Sequence, residues 1–292
     1  MTALRRVAFT ALFTGILCFP AAHAEIVPCS ARYPRTQAFP IEPSYPDKEW
    51  HVALKAWNIR HQWGLKERAS FPLRVHDGIL LPTIEVAFPK GSANPSNDTL
   101  PRGGAGFYAT AGFEPGMTAA CLRYQVYFPA DFDFVKGGKL PGLYGGDAPS
   151  GCKDEADLKG FSVRYMWRKK GAGTVYLYAP GKGERCGELV GLGRWHFFPG
   201  GWHTLEQEVI LNAPGKADGV LRMWLNGWPV LDRREVTYRT ADDIFIDGIM
   251  FSTFFGGDDA SWASTKHQSL FFADFTAYFP RENKKESPIS LE

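Results

Sequence analysis

Between Gly160 and Pro180 the sequence reads GFSVRYMWRKKGAGTVYLYAP, and its polar residues recur at every second position. In a β-strand, residues i and i+2 project from one face, so Ser162 shares a face with Arg164, and Tyr176 with Tyr178. An arginine can hold a carboxylate through two parallel N–H donors. A phenol beside it can give up or accept a proton. Together these types suit removal of a proton next to a carboxylate, a step that needs a fixed cation, a base and an acid.

Such a cluster needs a hairpin to assemble it. The link Lys169-Lys170-Gly171-Ala172-Gly173 reads as the turn, because glycine supplies the positive φ of tight connections. Arg164 then stands opposite Tyr176 and Ser162 opposite Tyr178, or, with the turn centre moved by one residue, Arg164 stands opposite Tyr178. Either register keeps all four side chains on one face. Cys152 and Cys186 fall near the open end of the same ladder, where a disulfide can staple it. Upstream, DFDFVKGGKLPGLYGGD (131–147) places Lys139 in a glycine-rich stretch that reads as a turn.

The rest of the chain from Pro82 onward is read as strands. Pro82–Phe88, Gly106–Thr110, Ala120–Phe128, Phe161–Arg168, Thr174–Ala179, Gly201–Leu211, Val220–Asn226, Ile244–Phe254 and Ser269–Phe279 carry β-branched or aromatic residues between glycine and proline breaks. This pattern predicts an all-β chain, a two-sheet antiparallel sandwich of the jelly-roll, concanavalin-like kind. Arg5 and Arg6 before the apolar run Val7–Phe19, with Ala22-His23-Ala24 after it, read as a secretory signal over 1–24, giving a secreted or periplasmic protein with no membrane anchor. A short irregular N-terminal segment (25–80) follows, with a helix over Glu49–Arg60 carrying Trp50, Leu54 and Trp57 on one stripe. The β-domain is expected over 81–282, and a polar tail over 283–292. Four cysteines remain after the signal. The hairpin favours Cys152–Cys186, which leaves Cys29–Cys121, each loop contributing about 3–5 kcal/mol in the chain-entropy model. The formal charge of +2 falls to about zero without the leader, so long-range steering of a polyanion is absent and attraction must be local.

The segments VAFPKGS (86–92), GGAGFY (103–108), YFPADFDFVKGGKLPGLYGGD (127–147), GFSVR with YLY, and GIMFSTFFGGDDASWA (248–263) resemble the family-14 polysaccharide lyases, which include alginate lyases, and the related glucuronan lyases look similar. The resemblance implies a jelly-roll enzyme that cuts a uronic-acid polymer, alginate with polymannuronate preferred or β-glucuronan, by β-elimination. It also implies that Lys139, Ser162, Arg164, Tyr176 and Tyr178 line the cleft. The chemistry fits these types: the C5 proton of a uronate is acidic only when its carboxylate is neutralised, the part given to Arg164. Lys139 is assigned as base and Tyr178 as acid, with Tyr176 and Ser162 positioning the sugar. The reverse assignment, or one tyrosine doing both jobs in a syn elimination, stays open. Lysine and tyrosine both titrate near 10, so either must be depressed to act as base near neutrality, and an alkaline optimum follows.

Other readings compete. A non-catalytic carbohydrate-binding module would use Trp167, Trp195, Trp202 and Trp262 as sugar platforms. Glu206 and Glu208, two apart on one strand, could serve a glycoside hydrolase, but such a pair is more often a solvated outer face. His196 and His203 lack metal-ligand spacing, and no metal or cofactor is required, although Asp258-Asp259 could hold a structural Ca2+. Arg168-Lys169-Lys170 is too short for nucleic acid and borders a polyanion groove instead. The chain is expected to be a monomer whose partner is an acidic polysaccharide.

Overall fold

The computed structural model describes residues 26–43, 49–152, 159–180, 186–257 and 259–281. Among the described residues seventeen strands follow one another: β1 Arg35–Phe39, β2 Ile59–Trp63, β3 Ala69–Ser70, β4 Leu73–His76, β5 Ile79–Pro82, β6 Ile84–Phe88, β7 Ala105–Ala109, β8 Ala119–Phe128, β9 Gly137–Gly146, β10 Gly160–Arg168, β11 Gly173–Tyr178, β12 Glu188–Val190, β13 Gly201–Ile210, β14 Gly219–Leu225, β15 Trp228–Val236, β16 Gly248–Thr253 and β17 Gln268–Phe279. Two large antiparallel sheets result. One runs β15-β14-β13-β8-β17-β6-β3 with β1 also on β17, and the other runs β12-β11-β10-β9-β16-β7-β2. Alternation explains the sandwich. Leu140, Leu143, Val163, Tyr165, Trp167, Val175 and Leu177 of the second sheet pack on Leu122, Tyr124, Val126, Leu205, Val209 and Phe272 of the first.

The hairpin of β10 and β11 forms in the first of the two registers: Arg164 faces Tyr176 and Ser162 faces Tyr178. The glycine-rich stretch around Lys139 is a strand rather than the expected turn. Its glycines answer crowding, not reversal. A Cβ on Gly142 would lie 1.7 Å from the Val163 carbonyl oxygen, and one on Gly138 would strike the Trp167 ring at 2.1 Å.

β9 carries one residue more than its partner. Gly142 pairs with Arg164, but Leu140 pairs with Tyr165 and Lys139 with Met166, so Pro141 is the extra residue of a bulge. Without it, Lys139 would pair with Trp167 and point into the core. The bulge turns Lys139 onto Arg164's face. Two side chains from the opposite sheet hold it: Tyr124 Oη donates to the Pro141 carbonyl (3.0 Å), while Gln207 accepts from Leu143 N–H (2.8 Å) and donates to the Val163 carbonyl (3.0 Å). Gln207 is fully buried, so these bonds replace ladder bonds that water cannot reach.

The N-terminal region departs from its expected form. The helix over Glu49–Arg60 shrinks to α1 Trp50–Ala53 and a 3-10 turn at Lys55–Trp57, because Trp57 sinks wholly into the core with its indole N–H on Pro40 O (2.8 Å), and the chain extends again as β2. This segment gives edge strands to both sheets. The disulfides pair Cys29 with Cys121 and Cys152 with Cys186. The signal and tail readings (1–24, 283–292) lie outside the described residues. Among the described residues no helix is long and apolar enough to cross a membrane.

Candidate active site

On the face turned away from the core, β9, β10 and β11 bring Lys139, Arg164, Tyr176 and Tyr178 together. Arg164 is 2 % exposed, and its Nε has no hydrogen-bond partner. Its charged neighbourhood consists of tyrosines: Tyr178, Tyr108 and Tyr176, in falling order of influence. The Tyr178 ring centroid lies 5.6 Å from its Cζ. Burial lowers the Arg164 pKa, yet a guanidinium keeps its charge over any working pH. A buried cation with a free donor and, among the described residues, no carboxylate paired with it is prepared for an incoming anion.

Lys139 is equally enclosed. Its Nζ donates to Met166 Sδ at 3.0 Å and sits 3.4 Å from the Tyr176 ring centroid. Burial first, then repulsion from Arg164 and Arg168, holds its pKa well below the ordinary lysine value. The face of Tyr176 favours the ammonium, but these effects outweigh it. The amine is therefore ready to accept a proton.

Tyrosine depression does not occur at Tyr178. Burial, then its hydrogen bond with Tyr176, pushes this phenol far above the ordinary value, against the smaller pull of Arg164 and the Gly187 N–H. It keeps its proton and can donate it. The two rings meet edge to face at 5.0 Å, and Gly187 lies flush against both, where a Cβ would come within 2.6 Å of Tyr178. The neighbouring disulfide Cys152–Cys186 anchors that glycine.

Ser162 is placed differently from expectation. It shares the face, but it is fully buried and its hydroxyl donates to the Pro149 carbonyl at 2.6 Å, so it fastens the loop before Cys152 instead of reaching for a sugar. Residues that sequence reasoning missed complete the site. Met166, next after Arg164 in the same alternation, carries Lys139, while the Tyr108 and Tyr144 rings meet tilted at 4.8 Å farther along the sheet.

The competing readings lose their residues. Trp167 and Trp195 are buried and present no ring to a sugar, Trp202 lies on β13 in the other sheet, and Trp262 packs under Arg168 and Lys136. Glu206 and Glu208 are buried rather than solvated. Ser30 donates to both oxygens of Glu206, and Arg32, Tyr33 and Arg222 all bind Glu208, so the N-terminal segment covers them. His203 is buried against Phe197 and Phe128. Of the calcium candidate, Asp258 lies outside the described residues, and Asp259 accepts from the Ser261 N–H.

The fold has known counterparts. A marine alginate lyase from Aplysia kurodai is similar over 85 % of this chain and 99 % of its own, with 27 % identity and a TM-score of 0.70. An alginate lyase from Chlorella virus is similar over 77 % and 94 %, with 22 % identity and a TM-score of 0.64. The chain is also 24 % identical over 207 residues to Exolysin of Paramecium bursaria Chlorella virus 1, and spans 32 % of that protein's length. The family model for polysaccharide lyase 14 matches residues 80–275, well over half of the chain and every member of the cluster, so this protein belongs to the polysaccharide lyase 14 family.

Proposed function

We propose that the protein is an exported lyase that cuts a uronic-acid polymer, alginate with polymannuronate preferred or β-glucuronan, by β-elimination. The observation that carries this reading is Arg164, a buried guanidinium with an unpartnered Nε, tyrosines beside it and no described carboxylate paired with it. Family membership and the likeness to an alginate lyase support the polymer class. Two disulfides support export.

The uronate carboxylate pairs with Arg164, which lowers the cost of charge at C5. Lys139 Nζ, its pKa held down by burial and by the cations beside it, takes the C5 proton in its free-amine form and becomes an ammonium. The electron pair moves between C5 and C4 as the C4–O4 bond breaks. Tyr178 gives its phenolic proton to O4, and Arg164 and the Gly187 N–H stabilise the phenolate left behind. One new chain end is saturated and the other carries a C4=C5 double bond. Lys139 and Tyr178 then exchange protons with water to reset. A site that only bound sugar would need no depressed amine.

The test is ultraviolet absorbance on mixing the purified protein with polymannuronate, polyguluronate, glucuronan and hyaluronan separately. Absorbance from the conjugated double bond should rise with polymannuronate or glucuronan. Binding without any rise would return the site to a carbohydrate-binding role.

A further inference from the structure

The face that carries Arg164 continues well past it. Through successive strand pairings, Tyr176, Arg164, Gly142, Met250, Tyr108 and Arg60 stand opposite one another in a single rung across β11, β10, β9, β16, β7 and β2. Paired residues share a face, so all six point the same way. Gly142 leaves a gap in that rung beside Arg164. Beyond Met250 the rung opens into a cavity of about 790 Å3, whose wall includes Asn58, Arg60, His61, Tyr108, Tyr144 and Asp247.

Arg60 is exposed, and no described carboxylate lies within ion-pair distance of it. Its positive field reaches Tyr144, as that of Arg164 reaches Tyr108, so the two cations face each other across the tyrosine pair. His61 stands beside it with φ 49°, where the β2 register slips, and its ring meets Tyr108 at 6.0 Å. The cavity also holds three carboxylates. Asp247 accepts the Gly146 N–H at 2.6 Å and Glu114 pairs with Arg35, which leaves Asp147 to accept from sugar hydroxyls.

We propose that Arg60, with His61 beside it, binds the carboxylate of a second uronate several rings away from the one held by Arg164. This rests on the reading of the cleft as a uronan site. Four strand spacings separate the two arginines, about 19 Å. At roughly 5 Å per sugar ring against that about 19 Å of sheet, a trimer seated on Arg164 does not reach Arg60, whereas a polymer does. β2 precedes the 80–275 family match, so Arg60 and His61 belong to a part of the chain that the match does not cover, while Tyr108, Tyr144 and Asp247 lie within it.

The experiment compares wild type, Arg60→Ala and Arg60→Lys on polymannuronate and on a mannuronate trimer. In Arg60→Ala the polymer-over-trimer preference in kcat/KM should fall roughly tenfold, the scale of one charged contact, with KM for the polymer carrying the change. Arg60→Lys should restore part of it. An unchanged preference, or equal losses on both substrates, overturns the proposal. If wild type yields no unsaturated product, the lyase reading has failed, and calorimetric binding of the same two ligands decides the proposal instead. Polymer binding that does not weaken in Arg60→Ala then sinks it.

Discussion

An amine enclosed with two guanidinium groups gives the acid side of the pH profile its shape. As pH rises through the depressed pKa of Lys139, kcat/KM should climb, and the raised pKa of Tyr178 should keep the acid protonated past the ordinary tyrosine value of about 10. A pH–rate profile checks both limbs, and a fall starting near neutrality on the alkaline side would contradict the assignment. The same burial has a cost in stability. Below about 10.4 the unfolded amine binds a proton that the folded one refuses, so this contribution to stability falls as pH drops, until the folded pKa is reached. Lys139→Met should therefore abolish turnover yet raise the melting temperature relative to wild type, more at pH 7 than at pH 11. Arg164→Lys keeps the charge but loses the fork, and a loss of about 10²–10³ in kcat/KM is expected. Much of this was legible from residue types: the S-x-R and Y-x-Y alternations named Arg164, Tyr176 and Tyr178 of the cluster, together with Ser162, and the family resemblance gave Lys139 its place in the cleft. The depression of lysine but not of tyrosine was not legible, because burial and not the neighbouring cation decides it.

Among the elements, β9 decides whether the cluster exists. A one-residue slip inverts a strand, and here the slip at Pro141 is what brings Lys139 to Arg164. Gln207→Leu removes two of the three bonds that brace the slip, leaving a buried N–H and a buried carbonyl unpaired at about 1–3 kcal/mol each. The expected result is a protein that melts earlier and whose kcat falls by more than the folded fraction does. Circular dichroism melts set beside turnover of the folded protein measure this, and unaltered kcat would show that Gln207 has no part in placing Lys139. The hairpin register was narrowed to two choices by alternation, and the cysteine pairs followed from it. β9 was not legible as a strand. Glycines at 137, 138, 142, 145 and 146 carry a local turn signal, whereas their cause is the nearness of Trp167, Val163 and Phe245 across the fold. Gln207 reads as one polar residue between two glutamates until the opposite sheet is in place.

At the scale of the whole molecule, the N-terminal segment is part of the sandwich. It supplies β1 and β2 to the two sheets, fixes Cys29 to β8, hydrogen-bonds Glu206 through Ser30 and pairs Glu208 with Arg32. Glu208 is 0 % exposed and accepts from Arg32, Tyr33 and Arg222. Glu208→Ala should cost about 1–3 kcal/mol in urea unfolding, since Tyr33, Arg32 and Arg222 lose a buried acceptor while Arg222 keeps Asp232. The stretch recognisable by family begins at residue 80, after these contacts. The inherited module and the folding unit thus have different borders. A fragment cut at the family border would expose bare carboxylates, an unpaired thiol at Cys121 and an open strand at β7, and it should collect in inclusion bodies while the longer chain stays in solution. For anyone grafting this lyase onto another protein, the joint belongs ahead of Cys29.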